Sequence, residues 1–260
     1  MSTGTTDRCC PPGSEPYTKQ PDDYQLQGSF KDIGQLETYF VGPPSSKRAI
    51  VLICDVFGLN AGLHKVIADT LAQELQIAVV IPDLFHGNPP FTETRPVNEA
   101  FAKIFESHLF HHVQPDLVQT LFPYLKETMG VEKIGMIGIC YGMYLVTHFL
   151  PTGLIAAAAS PHPSIYTFMS KLNEDPTVFF KNSKCPVMLL NSGNDPLEQG
   201  PSGALHQAIQ ETEHGSQSVF ECFPDMNHGW SVRGDATPDI IRDRKKVMKL
   251  YLEFFRANLL

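Results

Sequence analysis

The 260 residues of this chain could form one large domain or two small ones, and the composition, 42% hydrophobic with 17 Phe against 18% charged, supplies a substantial core and excludes global disorder. A formal net charge of -8 provides no overall basic field for phosphates or anionic lipid, so no nucleic-acid partner is expected. No run approaches the roughly 18 apolar residues of a membrane span, and residues 1–17 lack the basic start and apolar stretch of a secretory leader, so the expected address is cytoplasmic, away from any membrane.

Residues 1–24 are rich in Pro, Ser, Thr and Asp and lack any hydrophobic period, which predicts a flexible arm followed by one folded domain over 25–260. The vicinal Cys9-Cys10 pair falls in that arm. The segments 27–33 and 35–42 flank a Gly34 turn and read as an antiparallel hairpin, closed by Pro43-Pro44 and Ser45-Ser46. From Ala49 onward, short continuous apolar runs alternate with helix-length amphipathic segments, as buried parallel strands and their crossover helices do.

The predicted strands are Ala49–Cys54, Ala78–Ile81, Lys133–Ile139, Leu154–Ala159, Val187–Asn191 and Ser218–Phe223. Helices are predicted over His64–Leu75, Val97–Glu106, Pro115–Met129, Tyr141–Leu150, Gly203–Thr212 and Pro238–Asn258. This is an α/β pattern with a mostly parallel sheet, helices on both faces and an N-terminal hairpin. Six cysteines are too sparse for a disulfide scaffold, and Cys54, Cys185 and Cys222 lie on strand-like runs as core thiols. In the last helix Ile240, Ile241, Val247, Leu250, Tyr251 and Phe254 share one face, leaving the basic run Arg242–Lys246 as a solvated face.

The strongest local signal is the apolar strand from Lys133 running into Gly138-Ile-Cys140-Tyr-Gly142 and then a helix. A nucleophile elbow needs this context. Its reacting residue sits on a sharp, strained turn, so the residues two before and two after must be small. At the helix start Cys140 would also meet the positive end of the helix dipole, which favours thiolate. The plainer alternative is a buried structural cysteine at a Gly-rich strand end.

An elbow of this kind predicts an acid after a later strand and a histidine after the last. Pro186–Asn191 leads into Ser192-Gly193-Asn194-Asp195, and Val219–Phe223 leads into a loop carrying His228. In that reading His228 takes the Cys140 proton and later activates water, while Asp195 fixes the imidazole tautomer and stabilises its cation.

The chain resembles the dienelactone hydrolase family of α/β-hydrolases over most of residues 25–258. The resemblance is carried by Asp55-Val-Phe-Gly58-Leu-Asn60, Ile81-Pro-Asp83-Leu-Phe85, Gly138-Ile-Cys140-Tyr-Gly142 and Asn227-His228-Gly-Trp230. It implies an α/β-hydrolase fold and hydrolysis of a small ester or lactone through a thioester on Cys140, without a metal or organic cofactor. It further implies an oxyanion hole made by the backbone N–H groups of Val56 and Tyr141, and an acid at Asp55 paired with the nucleophile before substrate arrives. The familial acid is usually Glu, one methylene longer. Asp55 could instead be a capping or loop-bonding residue.

Arg233 could clamp a substrate carboxylate with its planar fork, or be a solvated arginine beside Asp235. His162, Phe85, Tyr141 and Trp230 are candidates for the pocket wall. His108, His111 and His112 have no Cys or carboxylate cluster beside them, so they read as helix-start or surface residues rather than metal ligands. The expected assembly is a monomer or homodimer. A non-catalytic binding module on the same fold is the competing reading, and a thiol redox protein is disfavoured because no Cys-x-x-Cys is present.

Overall fold

A computed structural model describes residues 11, 13–21 and 23–260; Cys9 and Cys10 lie outside them. Eight strands form one sheet: β1 Ser29–Ile33, β2 Leu36–Val41, β3 Arg48–Ile53, β4 Ala78–Pro82, β5 Lys133–Gly138, β6 Ala157–Pro161, β7 Val187–Ser192 and β8 Val219–Phe223. Their order is β1-β2-β4-β3-β5-β6-β7-β8. The hairpin β1–β2 is antiparallel and β2 runs antiparallel to β4, whereas every pairing from β4 to β8 is parallel.

Both faces of the central strands are covered, which is why they read as unbroken apolar runs rather than alternating ones. Ala49, Ile50, Val51 and Leu52 of β3 and Val79, Val80 and Ile81 of β4 are fully buried. Each large aliphatic among them contributes roughly 2 kcal/mol relative to exposure. On one face pack α1 (His64–Leu75) and α8 (Pro238–Leu259); α4 (Tyr141–Thr147) packs on the other.

The last helix is started by Thr237, whose side chain accepts from Ile240 N–H, with Pro238 in the first turn where its missing N–H costs nothing. It buries Ile240, Val247, Tyr251, Phe254, Phe255 and Leu259 and leaves Ile241 41% exposed. Gly135 of β5 makes that seating possible: a Cβ there would lie 2.8 Å from Phe255 and 2.9 Å from Leu259. The basic run does not lie wholly in solvent, because Arg244 donates to Trp230 O at 2.8 Å and also to Arg233 O.

The structure differs from the sequence reading at one expected helix, one expected strand and Cys222, and it adds short helices at Ile165–Met169 and Pro176–Lys181. The expected helix Pro115–Met129 starts earlier, as α3 (Phe110–Pro115), and continues as π-helical turns over Asp116–Leu121 and Tyr124–Thr128. Pro115 and Pro123 explain the widening, since each removes an N–H and its ring crowds the preceding carbonyls of an α-helical ladder. The strand expected from Leu154 begins at Ala157 and runs on to Pro161, carrying the chain farther toward the site. Cys222, expected in the core, is exposed because β8 is the edge strand and pairs only with β7.

The described part of the segment expected to be a flexible arm is hydrogen-bonded to the domain. Glu15 N–H donates to His228 O at 2.7 Å, Gly62 N–H donates to Thr18 O at 2.7 Å, and Gly234 N–H donates to Thr18 Oγ1 at 2.9 Å. Tyr17 packs on Phe57 with ring centroids 5.4 Å apart, and Tyr24 donates to Asp69 Oδ2 at 3.0 Å.

Candidate active site

The sheet register brings the candidate residues together. Ile53 at the end of β3 lies beside Gly138 at the end of β5, so the Asp55–Val56 turn and the Cys140–Tyr141 turn emerge side by side. Ser192 of β7 lies beside Phe223 of β8, so the loops carrying Asp195 and His228 also neighbour one another. Both pairs leave the carboxyl ends of parallel strands, where open α/β sheets gather their ligand sites.

Cys140 has φ 55° and ψ -114°, a conformation costly for a residue with a Cβ. It is held there by close packing. A Cβ on Gly138 would lie 2.5 Å from Gly142 C and Met143 N, and one on Gly142 would lie 2.5 Å from Ile53 O. The two small residues that the sequence places around Cys140 are therefore required on both sides of the turn, and the thiol is presented at the first turn of α4.

From Cys140 a chain of polar contacts runs through three loops. Cys140 Sγ is 3.2 Å from Ser164 Oγ, which is 3.4 Å from His228 Nε2. His228 Nδ1 is 2.6 Å from Asp195 Oδ1. Asp195 is itself oriented, its Oδ2 accepting from Ser192 N–H at 2.7 Å, and Asn194 Oδ1 accepts from His228 N–H at 2.7 Å. The four side chains of this contact chain are buried: Cys140 and His228 are 0% exposed, Ser164 2% and Asp195 6%.

Asp55 and Arg233, read separately in the sequence, form one unit. Arg233 Nε lies 3.0 Å from Asp55 Oδ2, and Asp55 Oδ1 accepts from Phe57 N–H at 3.0 Å. Arg233 is 2% exposed, not a solvated residue beside Asp235. Its guanidinium stands over the Phe57 ring at 4.8 Å and donates through Nη1 to Glu15 O at 2.9 Å. His64 completes this corner, with Nε2 3.7 Å from Asp55 Oδ1. Burial pushes the His64 pKa down from 6.5 despite the carboxylate, which tends to raise it. The neutral ring donates through Nδ1 to Ala61 O at 2.7 Å and turns Nε2 toward Asp55 N–H at 3.4 Å.

The remaining candidates occupy distinct places. Ile139 N–H donates to Ile53 O at 3.0 Å, tying the strand end before Tyr141 to the one before Val56. Phe85 stacks on Tyr141 with centroids 5.6 Å apart and meets His108 edge-on at 5.0 Å. Tyr141 OH donates to His108 O, so His108 is a buried wall residue and not a surface one. His162 lies 4.8 Å from the His228 ring and its Nε2 is 2.7 Å from Ser231 Oγ. Trp230 is fully buried and packs on Phe223 at 4.9 Å. Among the described residues no group of three or more His, Cys, Asp or Glu is spaced to hold a metal ion, and no helix is long and apolar enough to cross a membrane.

Ser164 and His64 do not stand out in the sequence as site residues. For Ser164 the available signal was Ser160-Pro-His162-Pro-Ser164, a polar stretch directly after a strand; for His64 it was a histidine at the first helical position after the Asp55 loop.

Known proteins share this architecture. The model of the dienelactone hydrolase family matches residues 36–259. An AIM2 family protein of Schizosaccharomyces pombe is 31% identical over 231 residues, covering 85% of this chain and 87% of the relative. The hydrolase pyvD of Aspergillus violaceofuscus is 30% identical over 216 residues, covering 81% and 82%. Among solved structures, a dienelactone hydrolase from Anabaena variabilis superposes with a TM-score of 0.61 at 16% identity, over 90% of this chain and 100% of that one, a likeness of fold.

Proposed function

Because the chain belongs to the dienelactone hydrolase family, a family of hydrolases, we propose that it cleaves a small ester or lactone with Cys140 as nucleophile, His228 as base and Asp195 as the carboxylate that orients the base. The observation that carries this reading is the continuous contact chain from Cys140 Sγ through Ser164 to His228 and Asp195 at the carboxyl end of the sheet.

In the first half-reaction the thiol proton passes to His228 and Cys140 Sγ bonds to the acyl carbon. The oxygen, now an anion, sits against the backbone N–H groups of Val56 and Tyr141, where preformed donors are most effective in a site shielded from water. Collapse breaks the ester C–O bond, the leaving oxygen takes the proton from His228, and the acyl group remains on sulfur as a thioester. Water, deprotonated by His228, then attacks that thioester and returns the thiol. A thiol nucleophile suits esters with good leaving groups, including enol esters and lactones, better than amides.

Arg233 would meet a carboxylate on the substrate by exchanging part of its contact with Asp55, while Phe85, His162 and Trp230 would bound the pocket. The test is intact mass after rapid quench with an activated ester, for the native chain and for Cys140→Ala and His228→Ala. An acyl adduct mapping to Cys140, accumulating when His228 is absent, is the expected result. Turnover that survives Cys140→Ala would overturn the assignment, and absence of both adduct and turnover across esters and lactones would favour a binding module.

A further inference from the structure

Ser164 occupies a position that serine normally spends on its own helix. It is the N-cap of α5 (Ile165–Met169), where a serine side chain usually accepts from the N–H groups of the first turn. Here the hydroxyl makes no capping bond. It turns instead into the candidate site, 3.2 Å from Cys140 Sγ and 3.4 Å from His228 Nε2. Its backbone is fastened to the same place, since Ser164 N–H donates to Cys140 O at 3.1 Å. At 2% exposure the hydroxyl is shielded from bulk water.

The tautomer of His228 fixes what the hydroxyl does. Asp195 Oδ1 lies 2.6 Å from Nδ1, so the proton of the neutral ring sits on Nδ1 and Nε2 presents a lone pair. A hydroxyl has one proton to donate and lone pairs to accept with, and can therefore donate to Nε2 while accepting from the Cys140 S–H. Resting on the assignment of Cys140 as nucleophile, we infer that Ser164 is a catalytic residue that relays the Cys140 proton to His228.

The exchange balances in two coupled moves. The S–H bond breaks as that proton joins Ser164 Oγ, and the original Ser164 O–H proton joins His228 Nε2. The products are a thiolate, an intact serine hydroxyl and an imidazolium, with no alkoxide or oxonium formed. The same hydroxyl can then donate to the thiolate and hold it until it attacks, a bond to the charged form that favours ionisation. Asp195 bonds the far side of the His228 ring, the His162 ring lies 4.8 Å from it, and Asp55, paired with Arg233, belongs to the turn after the neighbouring strand β3; substitution of Ser164 removes none of these groups.

Two measurements on the full chain test this relay. The first compares native protein, Ser164→Ala and Ser164→Thr for the rate of Cys140 acylation by an activated ester and for the pH midpoint of Cys140 alkylation by iodoacetamide, read by peptide mass. The relay predicts about a hundredfold slower acylation in Ser164→Ala, a midpoint raised by about one unit, and recovery of most of the rate in Ser164→Thr. The second is a proton inventory of acylation in mixed light and heavy water on native protein, expected to curve because two protons move. Native-like rate and midpoint in Ser164→Ala, or a linear inventory in the native protein, overturns the relay. Turnover that survives Cys140→Ala overturns the nucleophile assignment instead, so the two failures are told apart.

Discussion

The guanidinium of Arg233 meets the carboxylate of Asp55 at 3.0 Å, with both side chains almost wholly withdrawn from water. A buried ion pair of this kind adds little over an apolar pair of the same shape, yet removing one partner strands the other charge. Asp55→Asn and Arg233→Met are each expected to lower unfolding stability by about 3–5 kcal/mol. The double variant should lose clearly less than the sum. Urea unfolding of the four proteins checks this; additive losses would mean that the two charges are solvated independently.

Asp195→Asn separates orientation from packing. The new amide oxygen can still accept from Ser192 N–H, so the loop is expected to keep its form, but its NH2 group no longer favours the Nδ1–H tautomer of His228. We expect kcat on an activated ester to fall about a thousandfold or more with the thermal midpoint nearly unchanged. A loss below about tenfold would show that Asp195 does not set the tautomer.

The segment from Glu15 to Thr18 is joined to the loops on both sides of the candidate site, and each join is a point that can be cut. Glu15→Pro removes the N–H that reaches His228 O, and Tyr17→Ala removes the ring contact with Phe57. Together these weaken the segment by about 1–2 kcal/mol. Cys140 should then react with a bulky maleimide about tenfold faster. An unchanged rate would mean that the route to the thiol does not pass beneath this segment.

Burial lowers the pKa of both His64 and His108 below the ordinary 6.5. The unfolded chain therefore takes up protons at these residues before the folded chain does, and stability falls as pH drops below about 6.5. Above that value both residues are neutral in either state and contribute no slope. The unfolding free energy from urea titration is expected to fall between pH 7.5 and pH 5, by at most about 1.4 kcal/mol per pH unit for each residue. His64→Gln should flatten part of that slope. If His64→Gln leaves the slope unchanged, His64 is not buried neutral.

Much of this was legible in the sequence because it is local or periodic. The sheet announced itself through the apolar runs of β3, β4, β5 and β7, and the turn at Cys140 through the two small residues that its backbone tolerates. The order of Asp195 and His228 followed from strand ends, and the register confirms that those loops are neighbours. What the sequence could not show is set by contacts between loops far apart in the chain. Ser164 belongs to the turn after β6 and acquires meaning only beside Cys140, while for Arg233 the sequence leaves a substrate clamp and a solvated residue both open and gives no sign of Asp55 opposite it. The arm-like composition of residues 13–21 gave no hint of bonds to residues 228 and 234, because those bonds are made largely by backbone groups.

The backbone at Cys140 also limits which side chain could stand in place of its thiol. With φ at 55°, a β-branched side chain is strongly disfavoured, so threonine is excluded as a substitute. Serine differs from cysteine by a single atom and asks nothing new of the turn. Exchange between sulfur and oxygen is therefore open to single-step evolution, with the fold indifferent to the outcome.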